Sequence, residues 1–319
     1  MSPPAIGVIR PGLQTVVQDE GRWGWQASGI PVSGPMDPVS HRLANALVGN
    51  VRTAATLEAT LVGPELEFDD ERVVAVTGAT FDLTANGSPV PHGRPFVVAP
   101  YTRLQFQARR TGARAYLAVE GGFDVPQVLG SRATHAPSAI GGWHGRALAR
   151  GDRLPLGPVL RRRRRVGTRH PDWLRIPTAQ GGASVVRVLP GPDVDRFRDG
   201  AIDDLQSSPY AVASDSDRVG YRLSGRPLRH SRGADAISDA TPTGSIQVPG
   251  SEQPVLLMAD GPTTGGYPRI ATVIRADIGI AAQTAPGDLL SFRECTAAEA
   301  LAALIAIEQW LMAFEAETS

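Results

Sequence analysis

Short apolar, β-branched runs bounded by Gly and Pro recur along the chain, a pattern that predicts strands separated by tight turns. In the amino-terminal half the runs Leu13 to Val17, Arg72 to Val76, Phe96 to Ala99, Arg103 to Phe106 and Ala115 to Val119 read as strands, and Asn86-Gly87 supplies a hairpin turn. A second series follows at Val185 to Leu189, Ser245 to Val248, Val255 to Met258, Ile270 to Ile274 and Leu289 to Phe292. Evenly spaced short strands of this kind predict barrels or sandwiches. Two segments carry the helical period instead. From Asp37, an N-cap with Pro38 at the first helical position, Val39, Leu43 and Leu47 fall on one face, and Gly49 stops the helix. Asn45 lies off that stripe, where an amide is solvated, structural or part of a cleft wall. Near the other end Thr296-Ala-Ala-Glu299 forms a capping box, and no Gly or Pro interrupts the residues to Phe314. The apolar stripe of this helix, with Leu301, Leu304, Ile305, Leu311 and Met312, is wider than one core face needs; it fits a groove between domains or a surface of another chain.

Between the two β series, Gly157 to Gly182 changes character, with five consecutive arginines (Arg161 to Arg165), His170-Pro171 and a closing Gly-Gly. The expected organisation is a first domain over 1–160, a linker over 161–182 and a second domain over 183–319 that includes the C-terminal helix; the 319-residue length suits roughly two domains. The Arg run reads as a solvated linker or as a patch for an acidic partner.

Composition narrows the function. With 32 acidic and 32 basic residues the formal net charge is zero, which gives no electrostatic reason to expect nucleic acid or an anionic membrane as partner. No stretch is expected to supply the ~20 apolar residues of a membrane helix, the start MSPPAIGVIRPG lacks a signal pattern, and Cys295 is the single cysteine, so a cytoplasmic protein is expected. Every basic position is Arg; the chain has no lysine. Schiff-base chemistry, a P-loop lysine, covalent biotin or lipoate and a Ser-Lys dyad are therefore excluded on this chain. The six histidines are scattered without an HxH or HExxH pair, so no metal is expected, and Ser131 and Ser138 lack the flanks of a GxSxG nucleophile. The Gly-rich loop HAPSAIGGWH, from His135 to His144, reads as a lid or as a surface loop. The stretch from Ala240 to Asp288 mixes β runs with Gly/Pro turns bearing Thr, Gln, Asp and Tyr, a mixture suited to a small-molecule pocket or simply to tightly turned β structure.

Five blocks carry a more specific signal. They are PGLQTVVQDEGRWGWQASGIPVSGPMDPVSHRLANALVGN with TLEATLVGPELEF (Pro11 to Phe68), YLAVEGGFDVPQVLGSRATH (Tyr116 to His135), LPGPDVDRF (Leu189 to Phe197), SDRVGYRLSG (Ser216 to Gly225) and Thr241 to Asp288. Together they resemble a family whose members go under three descriptions: allophanate hydrolase subunit 2, the 5-oxoprolinase subunit designated C, and biotin-dependent carboxyltransferase. That family is related to the carboxyltransferase region of urea carboxylase and urea amidolyase. The resemblance implies a mainly β fold of two cyclophilin-like β-barrel domains in tandem with a few helices. It implies a hetero-oligomeric cytoplasmic complex with a smaller subunit 1, and hydrolysis of a C–N bond in a small amide, lactam or urea-derived substrate. The absence of lysine argues against an amidase-type allophanate mechanism. In the ATP-dependent 5-oxoprolinase reading, nucleotide is held by Arg and backbone amides or by the partner subunit. A carboxyltransferase reading requires carboxybiotin on a separate biotin carrier protein, and a third reading is a non-catalytic module that sequesters its smaller partner.

Carrying over the family's motif positions gives Gln14, Asp19, Met36, Asn45, Arg218, Gln247, Thr263 and Thr264 as substrate-binding residues and Asp37, Asp260 and Tyr267 as catalytic ones. The resemblance implies that they line one cleft, with Asp260 or Asp37 as general base, Tyr267 polarising a carbonyl and Arg218 holding a carboxylate, carboxybiotin or phosphate. Each has a plainer role open to it: Asp37 as a helix cap, Asp217-Arg218 as a turn ion pair, and Thr263-Thr264-Gly265-Gly266 as a turn that needs glycine.

Overall fold

The structure, a computed structural model, describes residues 3–159 and 182–318. The Arg161 to Arg165 run, His170-Pro171 and all of the expected linker except Gly182 lie outside them. The chain forms two compact units, one of Met1–Arg22, Ser33–Thr178 and Gln309–Ser319, the other of Trp23–Val32 and Ala179–Glu308. Thus Trp23–Val32 groups with the later β series and the end of the chain with the earlier one.

Unit 1 contains β1 (Ala5–Arg10), β2 (Gln14–Gln18), α1 (Pro38–Leu47), β3 (Thr56–Thr60), β4 (Glu65–Phe68), β5 (Arg72–Ala85), β6 (Ser88–Val90), β7 (Phe96–Val98), β8 (Arg103–Val119) and β9 (Arg153–Pro155). They make one curled nine-stranded sheet in the order β2-β3-β8-β4-β1-β9, with β5 pairing β6, β7 and β8. Ile6, Leu57, Leu66, Phe68, Val76 and Leu117 are among its buried core. The runs Arg103 to Phe106 and Ala115 to Val119 are the two ends of a single 17-residue strand, because the polar stretch between them also pairs with β5. That ladder shifts register between Gly78 and Leu83, and bulges of this kind bend a strand strongly enough to curl a sheet. The Asn86-Gly87 turn closes β5 onto β6 with φ of 48° and 82°, the left-handed pair a two-residue hairpin requires. α1 starts as its sequence dictates, Asp37 accepting from Ser40 N and Pro38 filling the first turn.

Unit 2 contains β10 (Ser184–Pro190), α2 (Ala201–Ser207), β11 (Tyr210–Val212), β12 (Gly220–Ser224), β13 (Asp239–Ala240), β14 (Ser245–Gln247), β15 (Val255–Leu257), β16 (Thr264–Gly265), β17 (Arg269–Val273), α3 (Ile278–Ala282), β18 (Leu289–Glu294) and the start of α4 (Ala297–Thr318). Seven strands close a barrel in the order β10-β17-β14-β15-β12-β11-β18, and β13 pairs with β16 separately. Val186, Val188, Ile246, Leu256, Ala271 and Leu290 are buried. The mainly β tandem architecture is as expected, with one difference: the barrel of unit 2 closes on itself, whereas the sheet of unit 1 is a curled half-barrel.

The capping box of α4 forms in full, Thr296 N donating to Glu299 Oε2 at 2.7 Å and Glu299 N to Thr296 Oγ1 at 3.2 Å. One expectation needs correction. Ala297–Glu317 is long and apolar enough to cross a bilayer by length and composition, with 11% of that window buried. The four glutamates spaced along it, Glu299, Glu308, Glu315 and Glu317, disguised that length in the sequence.

Candidate functional site in two buried polar clusters

Successive side chains on a strand point to opposite faces, so register alone assembles the first cluster. Thr60 lies opposite both Gln14 and Arg114, and Glu58 opposite both Val16 and Tyr116, which in turn is opposite Thr77. One face of β2, β3, β8 and β5 therefore carries polar groups, while Leu57 and Leu117 from the same strands enter the core. α1 packs on the polar face: Thr77 Oγ1 donates to Ser40 O at 2.6 Å, and His41 Nδ1 lies 2.9 Å from Thr56 Oγ1.

Glu58 is the centre of this cluster. Its Oε2 accepts from Met36 N at 2.9 Å and from the Tyr116 hydroxyl at 2.7 Å, and that hydroxyl accepts from Asp37 N at 2.7 Å. Arg114 Nε stands 3.8 Å from Glu58 Oε1. Burial, reinforced by the charges of Glu58 and Asp37, pushes the Tyr116 hydroxyl well above its usual range, so it is a neutral donor. Burial also lowers His41 to about 4, which keeps the imidazole neutral. The segment entering α1 is tied to the sheet by these bonds. Gly34, at φ 87°, calls for glycine: that backbone strains any side chain, and a Cβ would sit 3.2 Å from Asp19 O and Gly21 N.

The structure gives the sequence-derived residues of unit 1 definite partners. Asp37 caps α1, accepting from Ser40 N at 3.1 Å and Ser40 Oγ at 2.6 Å. Asp19 accepts from Gly21 N, Ser131 Oγ and Arg132 N at 3.0, 2.6 and 2.5 Å, so its carboxylate ties two loops together. Asn45 is fully buried, donating to Ala54 O at 2.8 Å and accepting from Asn50 Nδ2 at 3.1 Å; it is neither solvated nor facing a cleft. Met36 is buried beside Glu58, and Gln14 lies half-buried at the start of β2. The HAPSAIGGWH loop is exposed over 136–139, and the residues that flank it are tied to β2. Thr134 N donates to Val17 O and Leu148 N to Thr15 O, while Gly141 and Gly142 press against Ala133 and Thr134 too closely to admit a Cβ. Three buried oxygens of unit 1, Gln18 Oε1, Ser33 Oγ and Thr60 Oγ1, find no hydrogen-bond partner among the described residues.

The second cluster belongs to unit 2. Arg218 Nε and Nη2 donate to Asp260 Oδ2 and Oδ1 at 2.9 and 3.0 Å, a bidentate pair with both side chains almost fully buried. The turn pair Asp217-Arg218 is corrected accordingly: Asp217 Oδ1 accepts from Val219 N and Gly220 N, and the arginine turns to Asp260. Both Asp260 oxygens accept from Arg218, so this carboxylate holds the guanidinium in place. Gln247 donates to Tyr267 O at 3.4 Å, and Gly265 lies so close above it that a Cβ would come within 2.5 Å of Gln247 Nε2. Thr263 O accepts from Thr241 N, Thr264 pairs with Ala240, and the Tyr267 side chain is about half exposed. Among the described residues, no three His, Cys, Asp or Glu side chains group to hold a metal.

Sequence reasoning missed Glu58, Tyr116 and Arg114. The signal was present as alternation, since TLEAT places Glu58 between two threonines on one face and ARAYLAV places Arg114 and Tyr116 together.

The comparisons agree with this architecture. Residues 28–294 match the family described as carboxyltransferase domain, subdomain A and B, and the chain belongs to that family. It is 39% identical over 299 residues to the 5-oxoprolinase subunit designated C of Escherichia coli (strain K12), covering 93% of this chain and 94% of that protein. It is 34% identical over 304 residues to urea amidolyase of Saccharomyces cerevisiae, covering 91% of this chain but 16% of that protein. The crystal structure of the K. lactis urea amidolyase superposes with a TM-score of 0.91 at 33% identity, over 98% of this chain and 20% of that one. The chain thus spans nearly all of the bacterial relative and a fifth or less of the two yeast ones.

Proposed function

We propose that this chain is part of a heteromeric complex that hydrolyses a C–N bond in a small lactam or amide, in the manner of its 5-oxoprolinase relative. The carrying observation is reciprocal coverage: the match to that 5-oxoprolinase subunit runs through 93% of this chain and 94% of the relative, and the word subunit in its name points to further chains. On this reading the polar face of unit 1 holds the substrate. Nucleotide is assigned to the partner subunit. Arg114 and Arg218 both face carboxylates, an arrangement that does not fit a triphosphate, and no lysine is present to replace them. The test is to purify the chain with its smaller partner and measure ATP consumption and lactam opening with 5-oxoproline. Turnover that requires both chains supports the reading; a stable assembly that consumes ATP with no substrate, or opens no lactam, overturns it.

A second reading, carboxyl transfer from carboxybiotin, is favoured by the family description and by the urea amidolyase match. Biotin would then travel on a separate carrier protein, since this chain has no lysine to bear it. Urea-dependent discharge of a carboxylated carrier by the purified complex distinguishes the two.

A further inference from the structure

We infer that the exposed face of α4 is the docking surface for the second subunit of the complex, and that this subunit meets it with an apolar strip bordered by Arg or Lys. The inference rests on the reading that the chain works in a heteromeric assembly, and it adds which surface receives the other subunit and what chemistry that subunit brings.

Three observations carry it. First, α4 holds itself in place with one side only. Leu311 and Phe314 are buried and Leu304 and Ile307 half-buried along that side, yet only 11% of the window Ala297–Glu317 is buried. Second, the opposite side is apolar as well. At the helical period Leu301, Ile305 and Met312 form one ridge, 58%, 45% and 63% exposed, and Ala302, Ala306 and Ala313 form a flat strip beside it, all exposed. Gln309 is the one polar side chain between ridge and strip. A contiguous apolar patch of this kind marks an interaction site, whereas single exposed apolar residues do not. Alanine lets a second backbone come close, so ridge and strip together fit another helix.

Third, the charge selects the occupant. Every charged side chain of α4 is a carboxylate: Glu299 and Glu317 border the exposed face on one side, Glu308 and Glu315 on the other. Glu315 is held by Arg42 at 2.9 Å, and the last turn carries no basic residue to offset the negative end of the helix dipole. An apolar strip framed in this way suits a partner whose own apolar strip is framed by Arg or Lys. It disfavours the two other occupants. A helix lying on an anionic bilayer needs basic borders, and one spanning it would carry Glu308 into the hydrocarbon. A second copy of the chain, approaching by a two-fold, would set carboxylate rows against carboxylate rows.

The test titrates the full chain against its smaller partner subunit by calorimetry at low and high salt. Wild type is expected to bind, severalfold more weakly at high salt. Leu301→Gln with Ile305→Gln, exposed positions given a good helix former, is expected to weaken binding tenfold or more with the urea midpoint unmoved. Met312→Gln is expected to weaken it severalfold, and decides should the double variant fail to fold. Glu317→Arg is expected to weaken binding severalfold; a tighter complex in that variant marks an acidic partner and overturns the inference. Binding indifferent to both apolar variants overturns the docking surface and leaves the proposed reaction standing. The lone chain is also examined for self-association by sedimentation and for binding to vesicles of phosphatidylcholine and phosphatidylglycerol. Either property, if abolished by the apolar variants, gives the face to a second copy or to a bilayer and overturns the inference. A complex that assembles through α4 and opens no lactam keeps the surface and removes only the proposed reaction, whereas no association of wild type removes the surface together with the heteromeric reading.

Discussion

In unit 2, Arg218 is clamped by both oxygens of Asp260, while in unit 1 Arg114 faces a Glu58 whose nearer oxygen is 3.8 Å away and whose other oxygen serves Met36 N and Tyr116. Both couples are buried, and burial makes each charge dependent on its partner. The first is closed, two charges satisfying one another. The second is shared among a backbone amide, a phenol and a guanidinium, and beside it lies an unsatisfied hydroxyl. A closed pair joins two loops; the shared network ties the segment entering α1 to the sheet.

The sharpest way to break this contrast is Asp260→Ala, which takes the carboxylate from buried Arg218 and should cost about 3–5 kcal/mol in urea unfolding, the usual penalty for removing one partner of a buried pair. Unchanged stability with abolished turnover in the assembled complex would instead return Asp260 to the catalytic role the sequence assigned it. Next in size is a pH effect in unit 1. His41 has a folded-state value of about 4 against 6.5 unfolded, so the unfolded chain binds the proton more tightly. The stability that neutral His41 contributes is present above pH 6.5 and is lost as pH falls from there to about 4, amounting to about 3 kcal/mol by linkage. Urea midpoints measured across that range should fall for wild type and flatten for His41→Gln; parallel curves would remove the imidazole from the account.

Smaller again is Tyr116→Phe, which takes a donor from Glu58 and an acceptor from Asp37 N and should cost about 2 kcal/mol. The urea midpoint of the variant against wild type checks this; an unchanged midpoint would remove the hydroxyl from the account. The smallest effect belongs to Gly87→Ala in the β5–β6 hairpin. Its φ of 82° disfavours a side chain although the surrounding space is open, so about 1 kcal/mol is expected with turnover unchanged, a baseline for purely structural change.

What the sequence revealed was local. The Asp37 cap, the Asn86-Gly87 turn and the Thr296–Glu299 box each depend on residues within a few positions, and each is present as read. The long ribbon of β5 and β8 was legible only at its ends, because Gln107 to Gly112 is polar and lacks the alternation by which half-buried strands are recognised. The candidate site was hidden for a related reason. Glu58 meets Tyr116 across 58 residues through strand register, and Arg218 meets Asp260 across 42 in the loops just before β12 and just after β15, whose pairing brings those loops together. The family's motif positions led to Met36 and Asp37 but passed over the Glu58 that their backbone amides bind or border.

The alternation of β8 has a further consequence for how the chain reaches its final form. Ala115 and Leu117 point one way and Arg114 and Tyr116 the other, so slipping that strand by a single position would drive a guanidinium and a phenol into the oily interior and turn leucine out to meet α1. The buried polar groups thereby also proofread the sheet: a molecule that has settled with its apolar side inward has, by the same act, brought the Tyr116 phenol to Glu58.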